Sequence, residues 1–187
     1  VVDCEYAKEM GVPVSNIPAY STNAVAQLTF AFILNHYNKV AEYAKTVDNG
    51  DWVNYKLFSY FGIPTAELTG KTMGIIGYGD IGRKVAQLAR AFDMNVVTYT
   101  RSPEKVTDGT NVCSLEQLLI CSDVVSLHCP LTEENARMIN ADTLKLMKPT
   151  ALFVNTARGG LVDEYALTEA LNNDQIAGAC IDVLTFE

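Results

Sequence analysis

No apolar run in this chain approaches the roughly 20 residues needed to cross a bilayer. The longest candidate, Ala24 to Leu34, is interrupted by Gln27 and Thr29. No signal peptide is visible. Positive charge is scarce: 14 Lys and Arg stand against 22 Asp and Glu, a net charge of −8. That balance argues against non-specific binding to nucleic acid or to an anionic membrane, since both need a basic surface. It leaves room for a phosphorylated cofactor, which needs only local donors. Cys-x-x-Cys is missing, and the cysteines (Cys4, Cys113, Cys121, Cys129 and Cys180) are odd in number. They read as buried, reduced thiols of a cytoplasmic protein, with a catalytic thiol or a zinc site as the alternative. No metal is expected.

The 187 residues are 49% apolar and 19% charged, which suits one globular core with appendages. The chain starts with Val and ends in mid-pattern at Glu187, as expected for a piece of a longer protein. Residues 1–20 read as helix end, turn and short strand, with Pro13 and Pro18 suited to an edge. Ser21 and Thr22 offer caps to one long helix, Asn23 to Asp48, stopped by Asn49-Gly50. A connector over residues 50–70 holds Trp52, Tyr55, Phe58, Tyr60 and Phe61. Those rings could stack on bases, but the acidic balance favours packing under a loop or at a subunit contact.

The stretch Thr72 to Gly82 carries the strongest signal. An apolar run ends at Gly77, Gly79 and Gly82, spaced G-x-G-x-x-G, and Val85, Leu88, Ala89 and Phe92 then share a helical face. Strand, glycine turn and helix together form the dinucleotide-binding context. Gly77 permits a tight turn, Gly79 lets a pyrophosphate approach the backbone, and Gly82 lets helix and strand pack closely. The helix N-terminus offers N–H groups to a phosphate. S-adenosylmethionine is a competing ligand.

From Lys71 onward, strand-like runs (Met73–Gly77, Asn95–Tyr99, Asp123–His128, Ala151–Thr156, Ile176–Val183) alternate with helical ones (Ile81–Phe92, Ser114–Ile120, Ala141–Met147, Glu164–Asn172). This predicts an α/β fold with a Rossmann-type doubly wound parallel sheet. Ligands of such sheets bind beyond the carboxyl ends of the strands. Those ends carry Tyr78, Asp80 and Ile81; Thr100, Arg101 and Ser102; His128, Cys129 and Pro130; Thr156, Ala157 and Arg158; and finally Asp182 and Glu187.

An NAD site usually has an acid at the second strand end; Thr100 stands there instead, with Arg101, Ser102 and Lys105 nearby. Hydroxyls and a guanidinium suit a 2′-phosphate, so NADP is favoured over NAD. Arg101 could instead stack on adenine or point to solvent. Arg158, alone at a strand end, can grip a carboxylate in a fork; an ion pair with Asp163 is the alternative. Asp182 and Glu187 are expected to be buried carboxylates with a partner, or else helix caps. His36 reads as structural, and His128 as a backbone turn more than an acid or base.

The chain resembles the D-isomer-specific 2-hydroxyacid dehydrogenases along essentially its whole length, nearest to those acting on glycerate, hydroxypyruvate or glyoxylate. The marks are Val14 to Pro18 with Ser21 to Ala26, Gly70 to Gly82, Ser122 to Thr132, and Met147 to Asp163 with its Asn-Thr-Ala-Arg-Gly. The resemblance implies roles. Asp80 and Ile81 would line the pyrophosphate turn, Thr100 would replace the Asp of NAD-preferring members, and Cys129 would lend backbone near the adenosine. Thr156, Ala157 and Arg158 would border nicotinamide and substrate, and Asp182 would hold the carboxamide.

Arg158 matches the catalytic arginine, and Glu187 matches the glutamate that pairs with a catalytic histidine lying beyond this chain. Residues 1–20 would end a flavodoxin-like substrate domain. Residues 21–187 would be the NAD(P)-binding domain, with 21–62 a linking helix and dimer-type connector and 71–187 a Rossmann core cut short at its C-terminal end. The whole protein would reduce a small 2-keto acid to a D-2-hydroxy acid as a homodimer, and the fragment alone would be inactive. The alternative is a regulatory or scaffold module that binds NAD(H) without catalysis.

Overall fold

The computed structural model describes residues 2–185. In chain order the elements are α1 (Cys4–Glu9), α2 (Thr22–Asn38), α3 (Val40–Asp48), β1 (Thr72–Ile76), α4 (Asp80–Ala91), β2 (Asn95–Tyr99), β3 (Asn111–Val112), α5 (Leu115–Cys121), β4 (Val124–Leu127), α6 (Ala141–Leu144), β5 (Leu152–Asn155), α7 (Glu164–Asn172) and β6 (Gly178–Ile181). The six strands form one sheet in the order β3-β2-β1-β4-β5-β6. Every pairing is parallel. The strand order reverses between β1 and β4, which is where a crevice opens in such sheets.

Alternation along the central strands explains why both faces are covered. Met73 and Ile75 of β1, Val124 of β4, and Leu152 and Val154 of β5 face α2 and α4. Ile76, Val125, Leu127 and Phe153 face the other way, against α5, α6 and α7. β4 and β5 are buried throughout, as a doubly covered parallel sheet requires. α2 buries Ala26, Thr29, Phe30, Ile33 and Tyr37, spaced on one helical stripe. α4 does the same with Val85, Ala86 and Ala89.

The single helix expected over 23–48 is two helices. Lys39 adopts a left-handed conformation, φ 53°, and its N–H closes α2 on the Asn35 carbonyl. The Asn35 side chain then accepts from Ala41 N at 3.2 Å and starts α3. A side-chain bond to backbone thus replaces the glycine that usually marks such a break. The short strand expected within residues 11–18 does not form; that segment is exposed and lies outside the sheet. The edge strand β3 is an addition, two residues paired with β2. The cysteines are free as expected, but Cys4 and Cys121 are exposed and the other three only half-buried.

At the amino edge of the sheet, Asp123 accepts from Lys148 Nζ at 2.8 Å and from Thr72 N at 2.8 Å. Burial pushes the Asp123 carboxyl up. The Lys148 ammonium, the Thr72 N–H and the Lys71 charge outweigh it and hold the carboxyl below its ordinary range. A depressed folded-state pKa means stability that is present above about pH 4 and lost as pH falls through the folded value. We expect D123N to cost about 1–2 kcal/mol at pH 7. The difference from wild type should shrink as pH falls below about 4 in thermal unfolding. A pH-independent difference would show that the carboxylate charge is not what matters.

Candidate cofactor site

β1 ends at Ile76 and the chain turns sharply at Gly77, whose φ is 96°. A Cβ there would lie 2.7 Å from the backbone of His128 and Cys129 at the end of β4. Gly77 N donates to Tyr99 O at 2.8 Å, and His128 N donates to Ile76 O at 2.7 Å. The ends of β2, β1 and β4 are therefore stitched together at the point where strand order reverses. Gly79 caps α4 without a side-chain bond, and a Cβ on it would meet only open space. A Cβ on Gly82 would run into the Gly77 carbonyl oxygen.

The first N–H groups of α4 have no acceptor within the helix and carry its positive dipole end. Asp80 would oppose an anion there, but Arg83 Nη2 pairs with it at 3.1 Å. Arg83 Nη1 also donates to Tyr78 O at 3.0 Å. A pyrophosphate thus finds an open backbone approach and a nearby cation.

Above this turn lies a cleft of about 410 Å³. Gly77, Tyr78, Gly79 and Asp80 form its floor, Thr100, Arg101 and Ser102 one wall, and Cys129 and Pro130 the other. Nine of the expected cofactor residues thus meet in one place. Ile81 and Gly82 do not line it: Ile81 packs on the core beside α2, and Gly82 is buried beneath Gly77. Thr100 Oγ1 accepts from Ser102 N at 3.2 Å and shapes the wall. Arg101 neither stacks nor floats free; its Nη1 lies 3.6 Å from Glu134 Oε2 across the cleft.

The Tyr78 hydroxyl is engaged within the protein. It lies 2.7 Å from Asp108 Oδ2 and 2.5 Å from Thr110 Oγ1. Arg90 bonds Thr110 and pairs with Asp108 at 3.4 Å. Burial pushes the Tyr78 phenol up. Thr110, first among several donors, holds the Asp108 carboxyl far below its ordinary range. The cluster fastens the β2–β3 loop to the glycine turn. His128 reaches Ser126 Oγ at 2.8 Å through Nε2, while its Nδ1 is sequestered without a partner. Burial drives its pKa down to about 4, so the ring is neutral near pH 7. His36 sits in the last turn of α2, edge-on to Tyr37, and burial lowers its pKa.

Thr156, Ala157, Arg158 and Asp182 lie outside this cleft, along the same carboxyl edge at the ends of β5 and β6. Asn155, buried, wraps the turn that carries them. Its Oδ1 accepts from Ala157 N at 3.0 Å and its Nδ2 donates to Arg158 O at 3.0 Å. Thr156 Oγ1 bonds Thr29 Oγ1 of α2 at 3.3 Å. Asp182 N donates to Asn155 O at 3.0 Å, which ties the two strand ends together.

Arg158 is exposed, and its Nη1 donates to Ala157 O at 2.6 Å. Asp163 instead caps α7 by accepting from Ala166 N. No carboxylate pairs with Arg158 among the described residues. The expected burial of Asp182 is not found: among the described residues β6 is an outer strand, and Asp182 is exposed. Glu187 lies outside the described residues.

Sequence reasoning missed several residues that shape the site. The Asp80–Arg83 pair was readable from its i,i+3 spacing. The wrapping by Asn155 was readable from an Asn two residues before the N–H it binds. Asn135 and Met138 line the cleft from beyond β4 and carry no local signal at all. No group of three or more His, Cys, Asp or Glu among the described residues could hold a metal ion.

A parallel sheet with this strand order and a glycine turn at its switch point define a dinucleotide-binding domain of Rossmann type. The family model for the D-isomer specific 2-hydroxyacid dehydrogenase NAD binding domain matches residues 30–187. The chain belongs to that family, as its cofactor-binding domain. It is 42% identical to glycerate dehydrogenase of Methylorubrum extorquens, over the whole chain and 58% of that protein. An acyclic imino acid reductase solved with NADPH and D-arginine superposes with a TM-score of 0.86 and 34% identity, over 99% of this chain and 58% of that one. The D-lactate dehydrogenase of Lactobacillus jensenii, solved with NAD+, gives 0.83 and 34%, over 99% and 55%. The chain thus spans less than three fifths of the length of these relatives.

The two glycines separate packing from ligand access. We expect G82A to cost about 1–3 kcal/mol, because the methyl overpacks against Gly77. We expect G79A to leave thermal stability within about 0.5 kcal/mol. Equal losses in both variants would mean that the open side of Gly79 is not open.

Proposed function

We propose that this chain is the cofactor-binding part of an enzyme that interconverts a small 2-keto acid and a D-2-hydroxy acid, with glycerate, hydroxypyruvate or glyoxylate favoured. The observation that carries the reading is the carboxyl edge of the sheet. It bears an open glycine turn at its switch point and, two strands away, an exposed guanidinium whose backbone is held by Asn155 and which pairs with no acid among the described residues. Residues 1–20 are the end of a substrate domain in this reading, and 21–187 the NAD(P)-binding domain. The reduced cysteines fit a cytoplasmic enzyme.

The residues present fit a nicotinamide dinucleotide. Gly79 and the α4 N-terminus would take the pyrophosphate. Thr100, Arg101, Ser102, Cys129 and Pro130 would enclose the adenosine, and Thr156, Ala157 and Asp182 would border the nicotinamide. NADP is favoured, because no carboxylate stands at the end of β2 to repel a 2′-phosphate. The bound cofactor supplies a hydride to the keto carbon of the substrate.

Arg158 would bind the substrate carboxylate through two parallel N–H donors and stabilise negative charge on the carbonyl oxygen. Asn155 fixes the backbone from which Arg158 projects. Glu187 is assigned to raise the pKa of a histidine outside this chain, which would protonate that oxygen.

The test uses the whole protein, titrated with NADH and NADPH by fluorescence and then assayed on a panel of 2-keto acids. R158K should lower kcat/KM at least about 100-fold, the loss of one fixed charge-assisted donor set, with cofactor affinity held within about twofold. Near-wild-type turnover would remove Arg158 from the chemistry.

We also assign the connector to a homodimer contact. Tyr43, Trp52, Tyr55 and Tyr60 pack on one another, which leaves Phe58 98% and Phe61 60% exposed. Sedimentation of the whole protein should give a dimer, and F58E should shift it to monomer. A wild-type monomer at all concentrations would defeat the assignment.

A further inference from the structure

The β2 side of the cleft is basic, with Arg101 and Lys105. Opposite it, a short 3-10 turn over Glu133–Asn135 lines the cleft with Asn135 and places Glu133 and Glu134 beside it. That turn is fastened to the cleft wall. Asn135 Oδ1 accepts from Thr132 N at 2.7 Å, and Asn135 Nδ2 donates to Pro130 O at 2.8 Å. The arginine side is fastened too, through the Ser102 N–H on Thr100 and the Tyr78–Asp108–Thr110 cluster further along the loop. The ion pair between Arg101 and Glu134, 3.6 Å long, therefore joins two anchored walls across the cleft.

We propose that Glu134 is a specificity-determining residue: its carboxylate competes with a ribose 2′-phosphate for Arg101, and so opposes NADPH while leaving NADH untouched. The inference rests on reading this cleft as the adenosine end of the cofactor site.

The physics follows from exposure and charge. The Arg101 and Glu134 side chains are 58% and 83% exposed. Such pairs are weak, so an incoming ligand can displace them. A phosphate monoester carries nearly two charges and offers a guanidinium two parallel bonds. It takes Arg101 from Glu134, and the ion pair that is lost opposes the exchange. A 2′-hydroxyl carries no charge and lets the pair persist. Glu134 thus narrows a preference that Thr100, Arg101 and Ser102 create.

The test compares NADH and NADPH binding to wild-type protein, E134Q, R101A and the double variant, by fluorescence titration at low and high salt. E134Q should tighten NADPH about threefold at low ionic strength, the scale of an exposed ion pair, with NADH changed by less than about 1.5-fold. The gain should fade near 0.5 M salt, where exposed charges are screened. In the R101A background, E134Q should leave the ratio of NADPH to NADH affinity where R101A alone puts it. The inference is overturned if E134Q weakens NADPH or leaves it unchanged at low salt. An equal shift of both cofactors, or persistence of the effect without Arg101, overturns it too. Wild-type protein that binds neither cofactor would instead sink the reading of the cleft, and this inference with it.

Discussion

Gly77 is the constraint on which the rest of the site depends. Its φ of 96° turns the chain off β1, and its missing Cβ lets the backbone of β4 approach within contact distance. A side chain here would push the β1 and β4 ends apart, and the cleft between them would lose its floor. Gly82 completes the arrangement one helical turn later by tucking under the Gly77 carbonyl. The axis of α4 is thereby aimed at the crevice, and its unsatisfied N–H groups open onto the cleft. A few absent methyl groups thus open a generic strand–helix unit at the switch point of the sheet.

Electrostatics then differentiates one end of the sheet edge from the other. The protein as a whole is acidic, yet the cleft has a basic wall built from Arg101 and Lys105 and a compensated acid in Asp80. His128, the histidine nearest the switch point, is held neutral by burial and bonded to Ser126. It is part of the wall and carries no charge near neutrality. On the next strand, Arg158 is exposed, while Asp163 caps α7. Asn155 serves both ends of this region: it closes the turn before Arg158 and receives the N–H of Asp182. That sharing couples the positions of two residues far apart in sequence.

Much of this was legible because it is local. The five predicted strands coincide with β1, β2, β4, β5 and β6 to within a few residues. Short Val/Ile/Leu runs between helical patterns have few other ways to be buried. The glycine roles were readable for the same reason, since each is a statement about one backbone position. The errors were of both kinds, local and non-local. The break at Lys39 comes from an asparagine side chain replacing a backbone acceptor. The missing strand near residue 14 had alternation but no sheet edge to join. Asp182 was expected to be buried because its strand looks apolar, but β6 has a neighbour on one side only among the described residues.

The sequence by itself determined the alternation of strands and helices, the glycine turn, and the place of Arg158 at a strand end. These depend on steric rules and periodicities that act within a few residues. Only the tertiary structure decided that Glu134 faces Arg101, that Tyr78 is tied to Asp108 and Thr110, and that Asn135 closes the cleft. Each of those contacts joins segments brought together by strand order, and nothing in the intervening chain encodes the meeting.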